Sequence, residues 1–183
     1  NRLCISLPAR RIPRQSVRIY HQRNKSLFLG GAGNDTLMAV SPKKKVKHKF
    51  FGGSGNDTLV GGFGPDYLDG GTGDDVIRGG SNHNVLIAGH GNDRIFDGAD
   101  GSEIHTGPGR NMVRSVGGDD VIHVGPGRND IQTGMGAGIY EGACTFCAVA
   151  GRLRRVRRRA ARKRAVGCDH YGHRDREFQF TEL

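Results

Sequence analysis

The residues best suited to chemistry in this chain are aspartates, and they recur at a fixed spacing. Asp57, Asp66, Asp75 and Asp93 are separated by nine or eighteen residues, Asp120 follows 27 after Asp93, and Asp35 precedes Asp57 by 22. Asn84, Ser102, Asn111, Asn129 and Gly138 fill the other places of the same series. Carboxylates brought into a stack repel one another unless a cation lies between them. Oxygen donors from carboxylates and backbone carbonyls are hard ligands, which favour Ca²⁺. Asn-Asp and Gly-Gly pairs mark turns in any protein, but an ordinary turn does not require the same acid at multiples of nine.

The element that must position these acids is a nonapeptide. Its register is plain in Gly52-Gly53-Ser54-Gly55-Asn56-Asp57-Thr58-Leu59-Val60, then in Gly61 to Asp69 and Gly70 to Arg78, and seven further copies follow in phase to Glu141. The eighth positions are Leu59, Leu68, Ile77, Leu86, Ile95, Ile104, Val113, Ile122, Ile131 and Tyr140, with Phe50 one step upstream, and every one is apolar. Glycines at positions one, two and four allow a tight turn, and the last three residues extend as a short strand whose eighth side chain alone faces inward. One apolar residue per unit makes no core by itself. Stacked at about 4.8 Å, the units build an aliphatic seam between two sheets, with two nonapeptides per coil and a length of about 24 Å for ten repeats.

Turns 18 residues apart therefore lie over each other. One column holds Asp57, Asp75, Asp93, Asn111 and Asn129; the other holds Asp66, Asn84, Ser102, Asp120 and Gly138. Gly30 to Met38 is a clean copy 22 residues before Gly52, where two repeats need 18. Lys43 to Phe51 reads as a degenerate copy and Ala39-Val40-Ser41-Pro42 as an inserted loop, which stacks Asp35 above Asp57.

These units resemble the glycine-rich nonapeptide of RTX (repeats-in-toxin, haemolysin-type) proteins, most clearly in the copies beginning at Gly30, Gly52, Gly61, Gly70 and Ala88. The resemblance implies an all-β fold, a parallel β-roll (a right-handed β-solenoid of nonapeptide repeats), with irregular or partly helical basic flanks. It implies several Ca²⁺ ions held between adjacent turns by the sixth-position side chains of Asp35, Asp57, Asp66, Asp75 and Asp93. Asp120, Asn111 and Asn129 belong to copies that drift from the pattern. Backbone carbonyls of Gly30, Ala32, Gly52, Ser54, Gly70 and Thr72 complete the implied ligand set. Three sites are expected, in the gaps between Asp35, Asp57, Asp75 and Asp93. The family also implies a secreted, extracellular bacterial protein exported by a type I secretion apparatus, although the C-terminal Glu177 to Leu183 matches such an export signal only loosely.

Composition divides the chain in the same places. Residues 52–141 carry 13 acids against 5 bases and the flanks 5 against 23, so the formal net charge of +10 is −8 in the middle plus +18 outside it. The expected organisation is a basic, poorly ordered flank over 1–29, the roll over 30–141, and a basic cysteine-containing tail over 142–183. Asn1 is compatible with a fragment or a processed product. A glycine-rich acidic chain loses much conformational entropy on folding and buries little, so the roll is expected to fold only as it binds calcium.

Other chemistry is weakly signalled. Arg152 to Arg164 has helix-forming composition and would attract nucleic-acid phosphates, but a solvated tail explains it equally. Cys144 and Cys147 in CxxC spacing, with Cys168, His170 and His173, could hold zinc, though the second half lacks a CxxC. Lys43, Lys44, Lys45, Lys47 and Lys49 resemble a nuclear-import run, a pattern that is ordinarily just solvated. His105 and His123 fall in stacked ninth positions and could share a metal, although exposed histidines on a sheet face are the commoner case. HExxH, G-x-S-x-G, GxxxxGK[ST] and GxGxxG do not occur, so no catalytic residue and no enzyme are expected. No apolar run reaches the roughly 20 residues of a membrane span.

Overall fold

The computed structural model describes residues 3–6, 16–20, 26–40, 46–135, 138–142, 146–150 and 153–157. They form an all-parallel β-solenoid of about six turns, with no helix among the described residues. One sheet is built from Ser26–Ala32, His48–Ser54, Tyr67–Thr72, Val85–His90 and Glu103–Gly109, and it continues into the first part of the long strand Val121–Met135. The facing sheet runs through Thr36–Val40, Thr58–Val60, Val76–Arg78, Arg94–Asp97 and Met112–Gly117 to the second part of that same strand. Every coil thus contributes one strand to each sheet.

Register follows the period. Leu59 pairs with Ile77, Ile77 with Ile95 and Ile95 with Val113, all 18 apart, as are Phe50 with Leu68 and Leu68 with Leu86. At the upstream end the offset is 22 in both sheets, with Leu37 against Leu59 and Phe28 against Phe50, so four extra residues lie between those coils. Ala39 and Val40, read as the start of the inserted loop, instead end the strand Thr36–Val40 opposite Ile19 and Tyr20, with Ala39 buried in the core, because strand pairing extends past the last residue of the repeat; residues 41–45 lie outside the described ones.

Alternation makes the core. Thr58-Leu59-Val60 has only its central residue buried, because successive strand side chains point to opposite faces. Phe50, Leu59, Leu68, Ile77, Leu86, Ile95, Ile104, Val113, Ile122 and Ile131 are all fully buried, and Phe28 and Leu37 extend the seam upstream. Each such side chain contributes about 1.5–3 kcal/mol of burial, which the adjoining coils supply jointly. Tyr140 continues the backbone register opposite Ile122. Turn glycines let the coils approach: Gly53 has φ of +113°, and a Cβ there would lie 2.0 Å from the Gly31 carbonyl oxygen.

The parallel ladder also includes Leu3–Ser6 and Ser16–Tyr20 upstream, and Gly138–Gly142, Phe146–Ala150 and Leu153–Arg157 downstream. The helix expected of the arginine run is therefore not found over Leu153–Arg157, where the described residues are a strand paired with Gly138–Gly142. Backbone pairing with a neighbouring strand overrides helix propensity at these positions. Residues 158–183, including Cys168, His170 and His173, lie outside the described ones, as do the side chains of Cys4, Cys144 and Cys147. No helix among the described residues is long and apolar enough to cross a membrane.

Candidate metal centre

The six-residue turn places its aspartate at the start of the strand, with the side chain folded back beneath the turn. In the first column the backbone N–H of Asp35 donates to Oδ1 of Asp57, Asp57 to Asp75, and Asp75 to Asp93, at 2.7–2.8 Å. The series continues with Asp93 donating to Oδ1 of Asn111 and Asn111 to Oδ1 of Asn129. Meanwhile the carbonyls of Asp35, Asp57, Asp75 and Asp93 accept from Thr58, Val76, Arg94 and Met112. Asp57, Asp75 and Asp93 thus each link their own coil to both neighbours, and only their second carboxylate oxygens are left over.

That second oxygen is the feature that calls for a cation. Oδ2 of Asp57, Asp66, Asp75, Asp93 and Asp120 is buried with no hydrogen-bond partner, and the residues themselves are at most 1% exposed. A buried polar atom left without a partner costs about 1–3 kcal/mol, and more when it is charged. The first-position glycine leaves the adjacent space clear. A Cβ on Gly52 would meet Asp57 Oδ2 at 2.3 Å and the Gly70 carbonyl oxygen at 2.5 Å; on Gly70 it would meet Asp75 Oδ2 at 2.4 Å and the Ala88 carbonyl at 2.6 Å. Gly30 repeats this with Asp35 Oδ2 and the Gly52 carbonyl, and Gly61 with Asp66 Oδ2 and the Gly79 carbonyl. In each gap a carboxylate from one coil and a carbonyl from the next converge on a small space that only glycine keeps open. Oxygen donors converging in this way suit Ca²⁺.

The metal-free electrostatics are strained accordingly. Burial pushes the Asp57 carboxyl up to about 6, Asp75 to about 7 and Asp66 to about 8, each only partly offset by the backbone N–H it accepts. Asp57 is raised further by Asp35, and Asp75 by Asp57, Asp93 and Asp74. Asp93 and Asp120 are also raised, chiefly by burial.

The second column is mixed. His48, in the sixth position of the degenerate copy, donates its N–H to Oδ1 of Asp66 at 2.7 Å; Asp66 donates to Asn84, Asn84 to Ser102, and Ser102 to Asp120. The His48 ring is fully buried against Phe28 and Phe50, and burial lowers its pKa. Where Asn84 and Ser102 replace aspartate, a carboxylate enters from another position. Asp97 stands at the first place of its repeat, buried, with Oδ1 accepting from Asn84 Nδ2 at 3.2 Å and occupying the space above Gly79.

A family model described as the RTX calcium-binding nonapeptide repeat (4 copies) matches residues 27–39, 51–86, 69–104, 79–113 and 105–140, more than half of the chain. The chain belongs to this RTX repeat family. No curated protein and no solved structure matches it.

Within the RTX roll, the expected ligands separate into groups. Asp57, Asp75 and Asp93 are stacked in one column with free Oδ2 atoms, and Asp35 caps that column; Asp66 and Asp120 lie in the other. Gly52 and Gly70 direct their carbonyls into the gaps, and Ala88 does the same although its side chain hides the glycine pattern. Gly30 forms the floor of the first gap. Ser54 and Thr72 instead use their carbonyls to accept the N–H of Gly33 and Gly55, and Ala32 stacks in register with Ser54. Asn111 and Asn129 differ in kind: their Nδ2 atoms donate to the carbonyls of Gly107 and Gly125 at 3.2 and 3.0 Å. In those coils an N–H fills the place where the aspartates present an unpaired oxygen.

Sequence reasoning missed His48, Asp97 and a further ladder in the fifth positions. Asn56 donates its N–H to Oδ1 of Asn34, Asp74 to Asn56, Asn92 to Asp74, and Arg110 to Asn92. The Asn/Asp preference immediately before the sixth position was its available signal.

Proposed function

We propose that the chain is a calcium-dependent folding module in which the ions lie along the first column, in the gaps framed by Asp35, Asp57, Asp75 and Asp93, with Asp66 serving a further site in the second. The observation that carries this reading is the row of buried, unpartnered Oδ2 atoms, with those of Asp57, Asp66 and Asp75 each beside a carbonyl of the following coil. Bound calcium supplies the positive charge that neutralises these oxygens and ties successive coils together. The chain's own residues do the rest: the Oδ1 ladder sets the spacing, the first-position glycines keep the gaps open, and the apolar seam holds the sheets face to face.

The second half of the roll depends less on the ion, because the Asn111 and Asn129 amides satisfy their own turns and Asp97 is bonded to Asn84. A module held in this way folds where calcium is plentiful. With affinity in the range of about 0.1–1 mM typical of extracellular modules, it would be folded outside a cell and unfolded within one, which fits a secreted bacterial protein leaving through a type I secretion apparatus. No residue of the roll is given a catalytic role.

Far-UV circular dichroism of the full chain during calcium titration tests the reading. Conversion from disordered chain to β structure is expected as calcium rises through that range, and an unchanged spectrum up to about 10 mM would refute it.

A further inference from the structure

A second set of ligands converges away from the turns. Glu103 and His105 occupy alternate positions of the strand Glu103–Gly109, so both project from its outer face while Ile104 between them is fully buried. His123 lies directly across the parallel ladder from His105. The two imidazoles are stacked, with centroids 4.4 Å apart and planes inclined by 16°. Oε1 of Glu103 accepts from Nε2 of His105 at 2.8 Å and lies 4.0 Å from Nε2 of His123. One ligand atom from each residue can be chosen so that all three lie within 4.8 Å of one another, a grouping found at no other place among the described residues.

We propose that Glu103, His105 and His123 form a Zn²⁺ site on the outer sheet face, chemically separate from the calcium columns. Two imidazoles and one carboxylate are the ligand set of open zinc sites that keep a fourth position for water. Bonds of about 2.0–2.1 Å in a tetrahedral arrangement put neighbouring ligand atoms roughly 3.3 Å apart. The present spacings of 2.8 and 4.0 Å bracket that value, and turning the two stacked rings out of parallel directs their nitrogen lone pairs at a common ion. The backbone is held by Ile104 and Ile122, which lie fully buried beneath the histidines. The three side chains are between 35% and 43% exposed, which leaves them open to an incoming ion. Nitrogen donors select zinc, nickel or copper over calcium, so saturating calcium does not compete.

Placement gives the site a use. It joins two successive coils through the repeats 97–105 and 115–123, beside the part of the second column where Ser102 stands in place of an aspartate. Zinc here would clamp coils that the calcium ligands serve least.

The test uses the full chain, kept folded in 10 mM calcium, with Cys4, Cys144, Cys147 and Cys168 replaced by serine so that no thiolate competes. Co²⁺ serves as the spectroscopic probe and Zn²⁺ as its competitor. The d–d absorption of one tetrahedral or five-coordinate Co²⁺ is expected and is abolished by stoichiometric Zn²⁺, and His105→Gln and His123→Gln should each lower the Co²⁺ affinity read from that absorption by more than the roughly 10–100-fold typical of outer-shell changes. Circular dichroism of the same samples reports whether the variants retain the roll, and histidine-ring NMR shifts on adding Zn²⁺ should be confined to His105 and His123. Absent Co²⁺ absorption in the folded chain, equal absorption in the variants, or shifts at other histidines would overturn the assignment. Because the roll is already folded when zinc is added, failure here is distinguishable from failure of the calcium reading.

Discussion

Replacing Asp75 with asparagine separates the two roles of a sixth-position carboxylate. Asp75 accepts the Asp57 N–H through Oδ1 at 2.7 Å, and asparagine keeps that acceptor. What changes is Oδ2, which is buried and unpartnered in a carboxyl pushed from 3.8 up to about 7. At pH 8 the folded, metal-free roll must hold this group ionised. A displacement of about 3 units corresponds to about 4 kcal/mol, reduced to about 2 kcal/mol if the nearby surface screens half of it. Asparagine removes that penalty and presents an N–H₂, which can donate to the Gly71 carbonyl as Asn111 donates to Gly107. Asp75→Asn should therefore stabilise the metal-free roll at pH 8 by about 2–4 kcal/mol while weakening calcium binding in the gaps on either side. The assay is far-UV circular dichroism in chelator during titration with a stabilising osmolyte, which drives the calcium-free chain to fold, followed by urea unfolding in saturating calcium. Greater metal-free stability and a smaller calcium increment are expected. A variant that is no more stable than the parent in chelator, or that gains as much from calcium, would refute the reasoning.

The reverse exchange, Asn111→Asp with Asn129→Asp, removes the amide donors to the Gly107 and Gly125 carbonyls and should lower the melting temperature in saturating calcium without raising the ions bound per chain by equilibrium dialysis, because Thr106 and Val124 fill the first positions that glycine keeps open elsewhere. Gly52→Ala places a methyl 2.3 Å from Asp57 Oδ2 and 2.5 Å from the Gly70 carbonyl, so it should lower calcium affinity at least about tenfold, or about 1.4 kcal/mol, by isothermal titration calorimetry. Gly53→Ala instead strains a φ of +113° and should lower the melting temperature of the roll in saturating calcium. The metal-free roll should also be more stable in acid. Below pH 3.8 folded and unfolded carboxyls are both protonated; as pH rises toward the folded values of about 6 for Asp57, 7 for Asp75 and 8 for Asp66, the unfolded chain releases protons that the fold retains, and stability falls. Far-UV circular dichroism of calcium-stripped chain should accordingly show more β structure at pH 4 than at pH 8.5, and saturating calcium should reverse the order because protons then compete for the same oxygens.

Much of this architecture is legible in the period. Nine residues per strand placed Leu59, Ile77 and Ile95 in one seam and Asp57, Asp75 and Asp93 in one column, because stacking converts a sequence interval directly into a spatial neighbour. Even the inserted loop appears as an offset of 22 in place of 18. Phe28 and His48 were readable by the same counting, since Phe28 lies 22 before Phe50 and His48 two before it, but neither stands in a recognisable glycine-rich copy. Other features depend on side-chain direction, which a period does not encode. Asn111 and an aspartate fill the same place in the register, yet only the amide can donate to a carbonyl. Asp97 restores a carboxylate to the second column from the first position of its repeat, where glycine is the expected residue. The arginine run shows the limit of propensity: Leu153–Arg157 joins the ladder as a strand.

The most direct test is a crystal structure of the calcium-loaded chain with an anomalous difference map collected at long wavelength. Peaks are predicted beside Oδ2 of Asp57 and Asp75, where Gly52 and Gly70 keep the gaps open, and none between Asn111 and Asn129. A map without peaks along the first column, or with equal peaks beside the asparagines, would contradict the account.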